Sequence, residues 1–108
     1  MDVDPQHSAL AEVFRALGNP GRLEILGWLR DPDRHFAEWE PIADRQEFGV
    51  CVTHIQAKAG LAQSTTSAAM SLLERAGLVR STRVGKYNHY RRDEQNIAAL
   101  VARLGRDL

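Results

Sequence analysis

Two groups of polar and basic side chains in the second half of the chain have the types and spacing that suit contact with duplex DNA. Amide and hydroxyl groups cluster at a predicted helix start, at Gln63, Ser64, Thr65 and Ser67. Side chains at a helix N-terminus can meet base edges in the major groove, where these groups donate and accept hydrogen bonds. Arg83 and Lys86 flank a turn at Gly85 and are expected to contact phosphates or the minor groove.

The distribution of charge along the chain favours the same partner. The net charge is zero, but residues 53–92 contain seven Lys or Arg and a single acid, Glu74, whereas residues 1–52 contain five bases and ten acids. A local basic surface matters more for binding nucleic acid than the charge of the whole chain does. Lys58 and Arg80 are weaker candidates for phosphate contact. The alternatives are a solvated surface of mixed charge and hydroxyl groups that only cap and solvate a helix.

The elements that position these side chains begin with two helices marked by proline. Residues 4–5 (Asp-Pro) and 19–20 (Asn-Pro) each join a capping residue to a proline suited to a first helical turn. The first helix is expected to end at Gly18, and the second to span roughly residues 20–30. Residues 31–49 show neither helical nor strand periodicity, which predicts an ordered loop with a short helix of uncertain position.

A helix-turn-helix is predicted next. Thr53 and Gln56 have the spacing of a capping box, so a third helix is expected to begin at Thr53 and end at Gly60. A short link precedes a fourth helix over residues 63–76, along which Thr66, Met70 and Leu73 share one side. Two helices joined by a short turn containing glycine are typical of this motif, and the second is the candidate recognition helix.

A β-hairpin and a final helix complete the predicted fold. Residues 78–83 and 87–92 are predicted strands around a turn at 84–86, with Tyr87 and Tyr90 expected to pack within the sheet rather than stack on bases. Asp93 can cap the last helix. The fold class is therefore mainly α with a small β-hairpin, a winged helix-turn-helix. Residues 1–108 are expected to form one domain.

Apolar stripes on the first and last helices predict a homodimer. These stripes are too long for a body of this size to bury by itself. The predicted dimer residues are Leu10, Val13, Phe14, Leu17, Ile97, Leu100, Val101 and Leu104.

Composition limits the other classes of function. No run approaches the roughly 18 apolar residues of a membrane span, and the acidic start lacks a basic signal region, so a cytoplasmic protein without membrane contact is expected. The single Cys51 cannot form an internal disulfide. No nucleophile, general-base or metal motif is recognisable, so an enzyme is not expected. A winged-helix module that binds other proteins remains the alternative, which salt-dependent duplex binding would distinguish.

Three stretches closely resemble the ArsR family of bacterial winged-helix repressors. They are LAEVFRALGNPGRLEILGWL, GLAQSTTSAAMSLLERAGLVRS and VGKYNHYR. The resemblance implies a dimer joined through the first and last helices, repression of an operator, and often release of DNA when a signal binds. The chain departs from the family at Ala62, Ala68 and Ala69, where a capping hydroxyl and basic or His residues are common. Specificity would then depend on fewer polar side chains.

The signal itself is not identified by the sequence. Metal-sensing members of the family carry a Cys-x-Cys pair at the third helix. Here Cys51 matches the first Cys, Thr53 stands at the position of the second, and the last helix has no His. Neither a metal nor a cofactor is therefore expected. The alternatives are a new site combining Cys51 with His54, His35 or His7, a redox-sensitive thiol, and a pocket for an organic ligand near the aromatic residues of the 31–49 loop. The simpler interpretations are a buried thiol and aromatic residues that anchor the loop.

Overall fold

The first two helices of the computed structural model, which describes residues 1–108, begin where proline follows a capping residue. The Asp4 side chain accepts from the amide of Gln6, and the Asn19 side chain accepts from the amide of Arg22. Proline occupies the first helical position after each cap, where its missing N–H removes no helical hydrogen bond. Both predicted helix starts are confirmed.

Seven helices and three strands make up the chain. In order they are α1 (Pro5–Leu17), α2 (Pro20–Arg30), α3 (Pro32–His35), α4 (Arg45–Phe48), β1 (Val50–Cys51), α5 (Val52–Ala59), α6 (Gln63–Arg75), β2 (Val79–Val84), β3 (Tyr87–Arg92) and α7 (Glu94–Asp107). The helix-turn-helix of α5 and α6 and the following hairpin are confirmed. None of the helices has the length and apolar character needed to span a bilayer.

The 31–49 segment is an ordered loop with one-turn helices at both ends, as its sequence predicts. Phe36 is fully buried and meets Trp28 edge-on, with ring centroids 6.2 Å apart. The Arg45 guanidinium donates to the carbonyl oxygens of Phe36 and Trp39, both at 2.7 Å. The aromatic residues thus anchor the loop to the core, and Arg45 adds a second hydrogen bond to the Phe36 carbonyl, which also accepts from the Trp39 amide.

A third strand extends the predicted hairpin into a sheet of order β1-β3-β2. Val50 pairs with Tyr90 and Cys51 with His89, antiparallel. The preceding Gly49 has φ +89°, and a Cβ at this position would lie 2.0 Å from the carbonyl oxygen of Tyr90. Only glycine allows the chain to enter the sheet this closely.

The predicted capping box at Thr53 is wrong. Helix α5 begins at Val52, one residue earlier, and Cys51 occupies the cap position without a side-chain hydrogen bond to the helix. The Thr53 hydroxyl lies 3.0 Å from the Cys51 thiol instead. Because Cys51 is held in β1, the helix follows the strand directly, and tertiary pairing overrides the local signal.

The inner face of α6 lies at the centre of the core. Thr66, Met70 and Leu73 are fully buried, as their spacing predicts. They pack among the buried residues of the other elements, which include Ile25, Leu29, Phe36, Ile55, Leu78 and Tyr90. The recognition helix is therefore held by its own core residues, and its opposite face remains in solvent.

Replacing Gly49 with alanine should destabilise the fold strongly. We expect Gly49→Ala to lower the free energy of unfolding by about 2 kcal/mol or more, because it adds a backbone clash to an unfavourable positive φ. Gly60→Ala is the matched control, since Gly60 also has a positive φ, +66°, but no atom within 4 Å of the added Cβ. Its cost should stay near 1 kcal/mol. Equal losses in urea unfolding would show that the close approach to Tyr90 does not matter.

Candidate nucleic-acid interface

The N-terminal half of α6 presents its polar side chains to solvent. The predicted base-contacting residues Gln63, Ser64, Thr65 and Ser67 are all exposed. Thr66 lies between them in sequence but is buried, and its hydroxyl donates to the carbonyl of Ala62 at 3.0 Å. The helix thus separates hydroxyl groups that can meet another molecule from one that serves the fold.

No side chain caps the start of α6. Ala62 occupies the cap position and cannot accept from the first amides, and Ser64 does not replace it. The first N–H groups of the helix therefore remain available to an external acceptor and carry the positive end of the helix dipole. This arrangement is suited to a phosphate oxygen.

The departures from the family at Ala68 and Ala69 are not equivalent. Ala68 is exposed, whereas Ala69 is only 8% exposed and packs against the interior. A polar side chain at position 69 would enter the core rather than a DNA groove. Only Ala68 therefore removes a candidate contact from the exposed face.

The hairpin forms a wing with a tight two-residue turn. Arg83 pairs with Asn88 and Val84 with Tyr87, which leaves Gly85 and Lys86 at the tip. Gly85 has φ +60° and Lys86 does not have a positive φ, as in the type II′ turn that suits a twisted hairpin. Arg83 and Lys86 are both exposed and form no salt bridge, so their charges are available to phosphates.

A side-chain contact that sequence reasoning missed joins the wing to α6. The Ser81 hydroxyl donates to the Glu74 carboxylate near the end of α6. Since side chains alternate across a strand, Arg83 lies on the same face of β2 as Ser81, the face toward α6. Glu74 interrupts the basic segment of the sequence, and this contact explains its place there.

The two weaker candidates have partners within the chain. The Lys58 ammonium lies 5.0 Å from the ring centroid of Trp28, and its side chain is half-buried. Arg80 lies 3.6 Å from the carboxylate of Asp93. Both groups would have to leave these contacts to bind a phosphate, unlike Arg83 and Lys86.

Arg22 fixes the angle between α1 and α2. Its Nε donates to the carbonyl of Ala16 at 2.7 Å, and a terminal nitrogen donates to that of Arg15 at 3.1 Å. The side chain therefore binds the open C-terminal carbonyls of α1. This explains the arginine in the Leu17-Gly18-Asn19-Pro20 junction as a structural residue.

The terminal helices form a second candidate surface. α7 contains no buried residue, and Val101 is 63% exposed. Phe14 on α1 is 45% exposed, whereas Leu10 and Val13 are buried within the protomer. Leu17, Ile97, Leu100 and Leu104 are partly buried. The Arg103 guanidinium donates to the carbonyl of Gln6 at 2.7 Å and so connects α7 to α1.

The titratable residues around the sheet are buried or half-buried. Cys51 and His89 are 2% and 1% exposed, and no group of three His, Cys, Asp or Glu is close enough to hold a metal ion. His54 stacks on Trp39 at 5.9 Å; burial, with Arg45 and His89 nearby, lowers its pKa. Burial also raises the pKa of Tyr90.

Comparison with known proteins connects this geometry with a family of regulators. No family model matches the chain. YbzH of Bacillus subtilis, an uncharacterized HTH-type transcriptional regulator, is 52% identical over 90 residues, which cover 83% of this chain and 89% of that protein. ArsR2 of Halobacterium salinarum, a putative arsenical resistance operon repressor, is 33% identical over 79 residues, which cover 73% of this chain and 55% of that protein.

A solved structure agrees with the sequence relatives. The winged helix-turn-helix DNA-binding domain of Mb0332 from Mycobacterium bovis, a possible ArsR-family transcriptional regulator, is homodimeric in solution. It is 28% identical, with a TM-score of 0.62 over 97% of this chain and 85% of that one. The high identity to one regulator and the shared winged fold show that this chain belongs to the ArsR family of helix-turn-helix transcriptional regulators.

Proposed function

We propose that the chain is a homodimeric repressor that binds operator DNA through the N-terminus of α6 and the wing. The observation that carries the proposal is the uncapped, hydroxyl-rich start of α6 beside a wing with two unpaired basic residues. In this arrangement Gln63, Ser64, Thr65 and Ser67 face the major groove. Arg83 and Lys86 contact the backbone or the minor groove. The proposal assigns no enzymatic activity to the chain.

The lengths of α6 and β2 support a common DNA-facing side. The chain reverses at Gly77, and the Ser81–Glu74 contact sets β2 against the end of α6. From Glu74 back to Ser64 is about 15 Å at the helical rise. From Ser81 forward to Lys86 is about 16 Å at the rise of a strand. These matching lengths support a wing tip that lies at the same end of the molecule as the start of α6.

Homodimerisation is supported by the exposed apolar side chains of α1 and α7. Val101 and Phe14 lie on the outer side of helices that the Arg103–Gln6 hydrogen bond joins. A second copy would remove both from water, at roughly 25 cal/mol per Å² of apolar surface. A twofold dimer presents two recognition helices, so the operator should be a palindrome with half-sites about one helical turn, or a multiple of it, apart.

Substitutions in α6 and in the wing should weaken DNA binding in different ways. Operator sequences selected from random duplexes provide the specific site. Thr65→Ala should cost roughly 1 to 3 kcal/mol on the operator and little on random DNA, because it removes a base contact. Lys86→Ala should weaken both and lower the slope of log K against log salt by about one, because it removes a phosphate contact.

Fluorescence anisotropy at several salt concentrations measures both effects, with the exposed Arg34→Ala as the control for loss of charge. If Thr65→Ala and Lys86→Ala both bind both DNAs as the parent protein does, the assigned surface is wrong. A winged-helix module that binds other proteins would then be the better interpretation.

A charge on α7 should dissociate the dimer without unfolding the protomer. We expect sedimentation of the parent protein to give twice the 12.1 kDa protomer mass at micromolar concentration. Val101→Glu should give folded monomers, because Val101 is 63% exposed in the protomer, whereas a dimer would bury the new charge. Ile42→Glu is the control, since Ile42 is 47% exposed but lies on the 31–49 loop. A parent protein that is monomeric with intact helicity would contradict the dimer.

A further inference from the structure

A basic cavity of about 370 Å³ lies at the C-terminal end of α2. Its walls come from α2, from the end of the 31–49 loop, and from the part of β3 that continues beyond β1. Four guanidinium groups and one carboxylate line it, those of Arg30, Arg45, Arg91, Arg92 and Glu94. A cavity this size is within the range that holds small molecules.

Half of the arginines at this cavity have no carboxylate partner. Glu94 pairs with Arg92, which also donates to the carbonyl of Leu26. Arg30 and Arg91 form no salt bridge. Glu94 therefore balances the charge of Arg92 alone, and Arg30 and Arg91 have no carboxylate partner.

Arg45 is the buried arginine of this cavity, and a carboxylate balances its charge only weakly. Its side chain is only 7% exposed, and its one carboxylate neighbour, Asp33, lies 3.5 Å away with 66% of its own side chain in solvent. The Arg45 Nε is buried without a hydrogen-bond partner. Burying a cation whose carboxylate partner lies mostly in solvent costs free energy, and an anion bound nearby would lower that cost.

We propose that this cavity binds a small anion carrying carboxylate or phosphate groups and that the anion regulates DNA binding. Guanidinium groups form paired hydrogen bonds with the oxygens of both chemistries. Arg30 and Arg91 supply the exposed charges at its mouth, and Arg45 supplies the buried one. The regulatory part of this proposal rests on the proposed function; the binding part does not.

The position of the cavity separates it from the DNA-facing surface. The N-terminal end of α2, at Gly21 and Arg22, lies beside Thr65 of α6. Arg30 is eight residues further along α2, about 12 Å at the helical rise. Arg91 and Arg92 are at the opposite end of β3 from the turn that carries Lys86. A free anion therefore fits this site better than the backbone of DNA bound at α6.

Two residues of the cavity wall come just before the helix-turn-helix in the chain. Gly49 and Val50 line the cavity, and β1 continues without a break into α5. An anion held by Arg45 would therefore lie against Gly49 and Val50, the residues that lead into α5. If the free and DNA-bound arrangements of this segment differ in affinity for the anion, the anion must change DNA affinity by the same factor.

Calorimetry and thermal unfolding test the binding part with inorganic phosphate, pyrophosphate and citrate, each against sodium chloride at equal ionic strength. We expect phosphate-type or carboxylate-type ions to bind and to raise Tm, and the separate arms show which chemistry is preferred. Arg30→Gln/Arg91→Gln should bind at least about tenfold more weakly. Arg34→Gln/Arg75→Gln loses the same charge outside the cavity and should bind as the parent protein does.

Several results would overturn the site. They are no binding by the parent protein, an equal effect of chloride, and the same loss of affinity in both double variants. A cavity variant that binds every DNA more weakly without added anion would instead assign these arginines to DNA.

Anisotropy on the selected operator, with and without the saturating anion at constant ionic strength, tests regulation separately. We expect the anion to change operator affinity by about fivefold or more in the parent protein and not in the cavity variant. An unchanged operator affinity with the anion bound would overturn regulation alone. A protein that binds the anion but no DNA would overturn the proposed function and leave the anion site standing.

Discussion

The antiparallel pairing of Val50 with Tyr90 places the helix-turn-helix and the wing in one frame. β3 lies between β1, which continues into α5, and β2, which follows α6. A few backbone hydrogen bonds contribute only about 1 kcal/mol each, but they fix where α5 starts relative to the wing. The missing side chain of Gly49 makes this pairing possible, because a Cβ there would collide with the Tyr90 backbone. The geometry of the proposed DNA-facing surface therefore depends on a strand of two residues.

Helix α6 has one face that stabilises the fold and one that the proposed function assigns to DNA. Thr66, Met70 and Leu73 secure the buried face, so the exposed hydroxyl groups are free of a structural role. The uncapped start at Ala62 forgoes roughly 0.5 to 2 kcal/mol of helix stability that a capping hydroxyl would supply. Burial of the inner face compensates for this loss, and the open amides remain available to a phosphate.

The sequence predicts those elements whose signals are local. Proline after a capping residue marks α1 and α2, glycine marks the end of α5, and apolar spacing identifies the inner face of α6. β1 could not be predicted, because two residues show no periodicity and the strand exists only through its pairing with β3. The same pairing displaces the start of α5 from Thr53. The basic cavity was equally hidden, since Arg30, Arg45 and Arg91 are far apart in sequence and meet only in the fold.

The short strand also bears on how a signal could reach the DNA-facing surface. A regulator needs an element with two arrangements that differ by only a few kcal/mol, so that a small ligand can shift the balance. β1 has only two residues, but both are buried, and Val50 belongs to the same core that holds the inner faces of α2 and α6. The cavity lies against this same segment, so an anion bound there would act on the strand that sets the start of α5.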